Sequence, residues 1–307
     1  MGSTRIARSL IALAGVLGLA SALGGCHSAP PTLTQAKLAT DADVNARAKE
    51  YWVNEGLTFK PKPGQKPRVV IAEFSVEVVT VKLLGLLGSR PVVGADEFSI
   101  TGGALTLLGV GKEQAELKVE TMKALPDRLL PMFEKELEAR GYEVLPRLQV
   151  QGAPSYLALQ GLEPTEAYGL QAINVVGSDT GRPKEVVVYP ATGLKTLRED
   201  LPREKMRALL AETGSDLALR VRIRVGVDEG RATVERDSIV RAVWADSAGT
   251  AFGQLKSLKS IRSDAEIAKK EFTPIKGDVW MVNDTLYQSE LARMFRLYAR
   301  MGARQMN

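Results

Sequence analysis

Leu217-Ala218-Leu219-Arg220-Val221-Arg222-Ile223-Arg224-Val225 alternates apolar and charged residues from Leu219 onward, and its reading decides the fold. A β-strand turns successive side chains to opposite faces. Arg220, Arg222 and Arg224 therefore share one face of a sheet, and Leu219, Val221, Ile223 and Val225 share the other. The residues that follow continue the pattern. Glu229-Gly230 reads as a two-residue hairpin turn, Ala232 to Trp244 as a second strand, Asp246-Ser247-Ala248-Gly249 as another turn, and Thr250 to Lys259 as a third strand. With the turn at Glu229-Gly230, Asp228 faces Arg231, so that register predicts Arg224 opposite Glu235 and Arg222 opposite Asp237. Exposed cross-strand pairs of this kind contribute about 0.2–1 kcal/mol each. The expectation is a solvated, charge-laced sheet face; a phosphate site on the three arginines is the alternative.

Upstream of this meander the chain alternates between strands and helices. Arg68-Val69-Val70-Ile71-Ala72-Glu73-Phe74, continuing towards Val81, is rich in β-branched residues and reads as a central strand. Met122, Leu125, Leu129, Phe133 and Leu137 recur at spacings of three and four, which predicts a helix from near Glu113 to Arg140. Pro126 and Pro131 each remove a backbone donor and are expected to kink it or divide it in two. Gly141 terminates it, and Tyr142-Glu143-Val144-Leu145 is a short strand. A helix from Pro164 to about Ile173, a loop at Ser178 to Pro183 and a strand from Glu185 to Tyr189 follow. Asp200 is then placed as the N-cap of a helix whose Met206, Leu209 and Leu210 are buried and which ends at Gly214. The order is β-α-β-α and then an antiparallel three-strand meander, an α+β fold with a mixed sheet and packed helices.

Two segments leave their surroundings open. Residues 82–111 hold the glycine-broken apolar pieces Leu83 to Gly88 and Gly102 to Gly109. A membrane strand should alternate for about 9–11 residues, and neither piece does so cleanly. They read as a loop or hairpin packed on the body or as a surface for partner chains, with a membrane-entering hairpin as the alternative. Near the C-terminus, Asn283 or Asp284 caps a helix carrying Tyr287, Leu291, Met294, Tyr298 and Met301 on one stripe. That stripe must be covered by the protein's own sheet or by another chain, which makes Tyr287, Leu291, Met294 and Tyr298 candidates for a partner surface.

The N-terminus indicates a compartment. Arg5 and Arg8 precede an uncharged apolar stretch from Leu10 to Leu23, and Leu23-Gly24-Gly25-Cys26 ends it with the chain's single cysteine. The stretch is shorter than the roughly 20 residues of a membrane span. Residues 1–25 thus read as a cleaved signal, and the resemblance of its end to the lipobox of bacterial lipoproteins implies a lipid on Cys26. Each buried CH₂ contributes about 0.8 kcal/mol, so several acyl chains hold a protein at a membrane durably. Residues 26–67 read as a lipidated tether: a mobile Ser/Thr/Pro/Ala-rich part to about residue 40, an amphipathic helix between Asp43 and Glu55, and the linker Lys60-Pro61-Lys62-Pro63-Gly64-Gln65-Lys66-Pro67. Residues 68–307 form a single periplasmic domain on this reading.

Composition narrows the chemistry. His27 is the sole histidine and stands next to the anchor, so Ser-His-Asp and Cys-His machinery, HExxH and thiolate zinc sites and disulfides are excluded. The glycines match neither GxGxxG nor GxxxxGK[ST], so no nucleotide cofactor is expected, nor a metal. Without residues 1–25 the chain has 39 basic and 36 acidic residues, a net +3 that gives no reason to expect nucleic acid.

The lipobox, the Arg68 to Phe74 strand, Glu138-Ala139-Arg140-Gly141-Tyr142-Glu143-Val144 and Thr213-Gly214-Ser215-Asp216-Leu217-Ala218-Leu219 before long hairpins together resemble the curli-secretion-channel-related lipoproteins. That superfamily includes peptidoglycan-synthase activator lipoproteins, and its periplasmic domain resembles an anticodon-binding α/β fold. The resemblance spans residues 68–259 and implies a non-enzymatic envelope protein that binds envelope proteins or assembles with its own copies. His27 stands where an aspartate would resemble an inner-membrane retention signal, which implies the outer membrane with the domain facing the periplasm. The alternatives are an oligomeric secretion-channel subunit and a cell-wall enzyme working with two carboxylates. No catalytic residue carries over; Cys26, as the lipidation site, does.

Overall fold

The alternating arginine stretch lies inside a large sheet, in a strand that runs on to Asp228. The computed structural model describes residues 33–34, 47–48, 50–56, 59–61, 64–81, 114–162, 168–169, 184–228, 230–246, 249–273 and 277–306. Along them run β1 (Leu33–Thr34), β2 (Trp52–Glu55), β3 (Arg68–Val81), β4 (Gln114–Glu116), α1 (Val119–Glu138), β5 (Glu143–Val144), α2 (Arg147–Gly152), α3 (Pro154–Leu157), β6 (Tyr168–Gly169), β7 (Lys184–Pro190), α4 (Arg203–Thr213), β8 (Leu217–Asp228), β9 (Arg231–Val234), β10 (Ile239–Asp246), β11 (Gly249–Ser257), β12 (Ile261–Glu266), β13 (Ala268–Thr273), β14 (Gly277–Val282) and α5 (Asp284–Gln305). Cys26, residues 82–111 and the loop at Ser178 to Pro183 lie outside the described residues.

β8 has the parallel strand β3 on one flank and the antiparallel strands β9 and β10 on the other. The far side of β3 is taken by β5, parallel, and by β7, antiparallel. β11 pairs with β10, so the three-strand meander is present, with its second strand divided into β9 and β10; β12, beyond the expected end of the third strand at Lys259, pairs with β9. This is a mixed sheet with packed helices, an α+β fold. A second sheet has the order β13-β14-β4; its β13–β14 hairpin has no counterpart in the sequence reading.

The expected register holds at the hairpin, where Asp228 pairs with Arg231 and Val225 with Val234. Beyond it, Ile239 pairs with Arg222, so two extra residues have entered the second strand. Asp237 sits in that bulge at φ 68°, a left-handed conformation that aspartate tolerates better than most residues. The bulge places Ile239, and not Asp237, opposite Arg222, which corrects the predicted pair. At the hairpin turn Gly230 has φ 72°, and a side chain there would meet the Trp280 ring at 2.6 Å. Its carbonyl accepts hydrogen bonds from the Ile267 and Ala268 amides at 2.8 and 3.2 Å, which ties the large sheet to the start of β13.

A bulge in β3 decides which side chains meet the helices. Ile71 pairs with Leu219 but Glu73 with Arg220, so Ala72 is extra and the face presented by odd and even positions exchanges there. Val69 and Ile71 before it, and Phe74, Val76 and Val78 after it, thus lie on the same face as Leu217, Leu219, Val221, Ile223 and Val225. α1 and α5 cover that face: the Phe74 ring lies 6.1 Å from Phe133 of α1 and 6.0 Å from Phe295 of α5. The other face carries Glu73, Ser75 and Glu77 beside Arg220, Arg222 and Arg224, with α4 packed near its β10–β11 side, where Arg203 stacks 5.0 Å from the Phe252 ring.

Several local expectations change. α1 is one helix of 20 residues that contains both Pro126 and Pro131, neither of which divides it, and Gln114–Glu116 before it is strand. Packing of Met122, Leu125, Leu129, Leu130, Phe133 and Leu137, all at most 2 % exposed, outweighs the two lost amide donors. The helix expected through Glu55 yields at Trp52, because Trp52–Glu55 pairs with β11 and buries Trp52 against Tyr298, ring centres 4.5 Å apart. Leu33 and Thr34, expected in a mobile tether, pair with β12. Tyr168 and Gly169, placed by the sequence in a helix, pair with β7. Asp200 caps nothing: α4 starts after Pro202 with no side-chain cap, and Asp200 holds Arg198 at 3.1 Å. The C-terminal cap is as expected, with Asn283 accepting from the Leu286 amide at 3.1 Å.

Ala72 is the extra residue, so deleting it leaves Glu73 opposite Arg220 and Phe74 opposite Val221, whereas deleting Ser75 would turn Val76 and Val78 to the charged face and Glu77 to the helices. The expected outcome is loss of near-UV circular dichroism and of a cooperative urea transition on deletion of Ser75, and retention of both on deletion of Ala72. A Ser75 deletion with the parent's urea midpoint would contradict this account of the sheet.

Candidate functional site

The charged face is built from the strands outward. Register sets Glu73 beside Arg220, Ser75 beside Arg222 and Glu77 beside Arg224. Glu73, wholly buried, accepts from Arg220 Nε at 2.8 Å on one carboxylate oxygen and from Arg222 Nε at 2.6 Å on the other. Glu77 accepts from Arg224 Nε and Nη2 at 3.2 and 3.0 Å. Burial alone would disfavour the charged form of Arg222, but the attraction of Glu73, Glu199 and Glu77 outweighs it and raises its pKa above the ordinary guanidinium value. The expected solvated face is thus a buried network, for a reason the hairpin alone could not give. The arginines find their carboxylates on the parallel strand β3, and residues 191–201 lie across them.

That crossing segment is pinned along its length. Asp127 of α1 accepts from the Thr192 amide at 3.0 Å and from Arg147 Nη1 at 2.8 Å. Partial burial pushes its carboxyl up, but the bonds from Thr192 and Arg147 prevail and hold it below the usual aspartate range. Lys195 Nζ donates to the carbonyls of Leu157 and Leu159 at 2.8 and 3.0 Å, at the end of α3. Tyr156 Oη accepts from the Lys195 amide at 2.8 Å, and burial raises its pKa to about 12. The Leu197 carbonyl accepts from Arg220 Nη2 at 2.8 Å and from Arg222 Nη2. Glu199 then bridges Arg222 and Arg241.

Chemically this network is spent on itself. A general acid or base needs a carboxyl whose proton can move to a substrate, whereas both Glu73 oxygens are held by guanidinium groups in a site closed to solvent. Among the described residues no group of three His, Cys, Asp or Glu converges as a metal site. Around Glu73 the arrangement is structural, which favours neither a phosphate site nor a two-carboxylate centre there.

A second feature is open. A groove of about 580 Å³ runs where the linker reaches the sheet, lined by Phe59, Trp244 and Phe252, by Lys60, Pro61, Gln65 and Pro67, and by Asp216 and Asp246. The rings of Phe59 and Trp244 meet edge to face at 6.1 Å. Asp216, in the α4–β8 turn, accepts from the Arg68 amide at 2.8 Å and so fixes the linker's exit against the sheet. The volume lies within the range of ligand clefts, about 300–1,000 Å³.

The sequence-derived candidates fare differently. Tyr287, Leu291, Met294 and Tyr298 do share one stripe of α5, but all are at most 1 % exposed beneath the protein's own sheet and α1, so they are core and offer no partner surface. Cys26 lies outside the described residues. Missed by sequence reasoning were Glu73, Glu77, Glu199 and the groove. Glu73-Phe74-Ser75-Val76-Glu77 alternates polar and apolar as the arginine stretch does, a signal sufficient to pair the two strands; nothing comparable marks the groove, whose walls come from four separated stretches.

Removing Glu73 leaves two guanidinium groups buried without their carboxylate, and such breaks cost about 3–5 kcal/mol. Glu73→Ala is therefore expected to lower urea stability by about that amount, and joint replacement of Glu73, Arg220 and Arg222 by methionine to cost less than the single change. A single-variant loss under about 1 kcal/mol would show the network to be peripheral.

Comparison with models of known families, with characterised proteins and with solved structures finds no match to this chain.

Proposed function

We propose that this chain is a lipid-anchored envelope protein that works without covalent chemistry, as a module that binds other envelope proteins or assembles with its own copies. The observation that carries the reading is the groove at the end of the linker: an aromatic wall, prolines and two carboxylates on an open trough suit side chains of a protein partner better than a reacting centre. Its place supports the same reading. One wall of the groove is the segment from Phe59 to Pro67, which joins β2 to β3, so the groove is formed where this linker lies along the sheet.

Anchorage is supported by the leader that ends in Leu23-Gly24-Gly25-Cys26 and by the fact that no described helix is long and apolar enough to cross a membrane. The outer membrane, with the body in the periplasm, is the location this reading takes, supported by His27 standing where an aspartate would resemble an inner-membrane retention signal. The near balance of charge gives no basis for nucleic-acid binding.

A photo-crosslinking amino acid placed at Lys60 or Gln65, both exposed on the groove, tests this in intact cells, with Lys123 on exposed α1 as the control position. The expected outcome is one recurrent envelope protein, or the chain itself, joined at positions 60 and 65 and not at 123, and loss of that adduct when Cys26→Ser removes the anchor. Adducts equal at all three positions would overturn the groove as the contact surface.

A further inference from the structure

The charge balance of the arginine face is uneven in origin. Of its four arginines, Arg220, Arg222 and Arg224 receive Glu73 and Glu77 from the neighbouring strand. Those carboxylates are fixed by the backbone of β3 and by burial. Arg241, on β10 next to Arg220 in the register, receives nothing from β3; among the described ion pairs its carboxylate partner is Glu199. Glu199 also takes the outward Nη1 of Arg222, whose Nε is held by Glu73. One carboxylate thus bridges two guanidinium groups, one oxygen to each, and it is supplied by a connecting segment.

Glu199 is also the exposed member of the group. Its side chain is 53 % exposed, against 13 % for Arg222 and 20 % for Arg241. The backbone around it is fixed independently by the Leu197 carbonyl, the bridge between Gly161 and Leu197 and the amide of Leu162 on the Thr196 carbonyl. Rotation of the Glu199 side chain would therefore uncover Arg241 and the Nη1 of Arg222 while Glu73, Leu197 and the sheet keep their places.

We propose that Arg222 and Arg241 form a recognition site for a carboxylate carried by an acidic peptide segment, and that Glu199 occupies this site in cis as an internal competitor. The ligand class follows from the occupant. A carboxylate already spans the two guanidinium groups, and arginine prefers such paired oxygens. An internal occupant lowers apparent affinity by the fraction of time that it holds the site, so the entering segment must present carboxylates at high local density to displace it.

The test measures binding of an N-acetylated hexaglutamate peptide at 0.15 M salt, by titration calorimetry, to the full chain and to Glu199→Gln. Glu199→Gln keeps the side-chain shape and removes the competing charge, and is expected to bind at least about tenfold more tightly than the parent. Glu120→Gln on exposed α1 makes the same change in net charge and is expected to gain nothing. Adding Arg241→Met to Glu199→Gln should abolish the gain. If Glu199→Gln loses its near-UV dichroism, Glu199→Asp, which keeps the charge on a side chain too short to bridge, takes its place with a smaller expected gain. Acetate in place of the peptide is expected to bind no variant measurably; saturable acetate binding to Glu199→Gln would overturn the requirement for a peptide. Equal affinity of parent and Glu199→Gln, an equal gain from Glu120→Gln, or a gain that survives Arg241→Met would each overturn the site.

Discussion

Glu73 holding Arg220 and Arg222 under a closed segment is the constraint on which the rest of the structure depends. A buried carboxylate with two largely buried guanidinium groups is tolerable when the hydrogen bonds are filled, and here they are filled from three separate parts of the chain: β3, β8 and the Leu197 carbonyl. Satisfying that triad fixes the parallel pairing of β3 with β8, demands the bulge at Ala72, and calls residues 191–201 across the sheet. The bulge in turn delivers Phe74 to the opposite face, where α1 and α5 close over it. One polar requirement and one apolar requirement are thus met by the same displaced residue.

This division of faces explains why the open surface of the molecule lies elsewhere. The charged face spends its carboxylates on its own arginines, and the apolar face is covered by α1 and α5. Among the described residues, two accessible features lie at the margins: the groove between linker and sheet, and the half-exposed Glu199 where the covering segment ends. Both suit recognition, the role proposed for the chain.

The sequence was most legible where periodicity was strict. Alternation from Leu219 to Val225 placed β8 and its faces, the hairpin at Glu229-Gly230 gave the register at Asp228 and Arg231, and the stripe from Met122 to Leu137 gave α1. It was least legible where distant residues decided the outcome. The pairing of Arg222 failed because two extra residues at the Asp237 bulge leave no periodic trace. The solvated reading of the arginine face failed because a strand 147 residues away supplies the carboxylates. Trp52, scored as a helix residue by spacing, is a strand residue because β11 and Tyr298 offer it a better burial. The prolines of α1 show a related rule: neither divides the helix, because a whole stripe of large side chains is buried along it. For the groove, no local pattern exists to read, since its lining is assembled only on folding.

Side-chain exchange at the buried arginines tests the central claim most directly. In a ¹⁵N spectrum of the arginine Nε–Hε groups, the Arg220 and Arg222 signals should persist under conditions where that of exposed Arg207 is lost to exchange with water, because Glu73 holds both Nε donors away from solvent. If Arg220 and Arg222 exchange as fast as Arg207, the triad is open to water and the account of how this fold is held together is wrong.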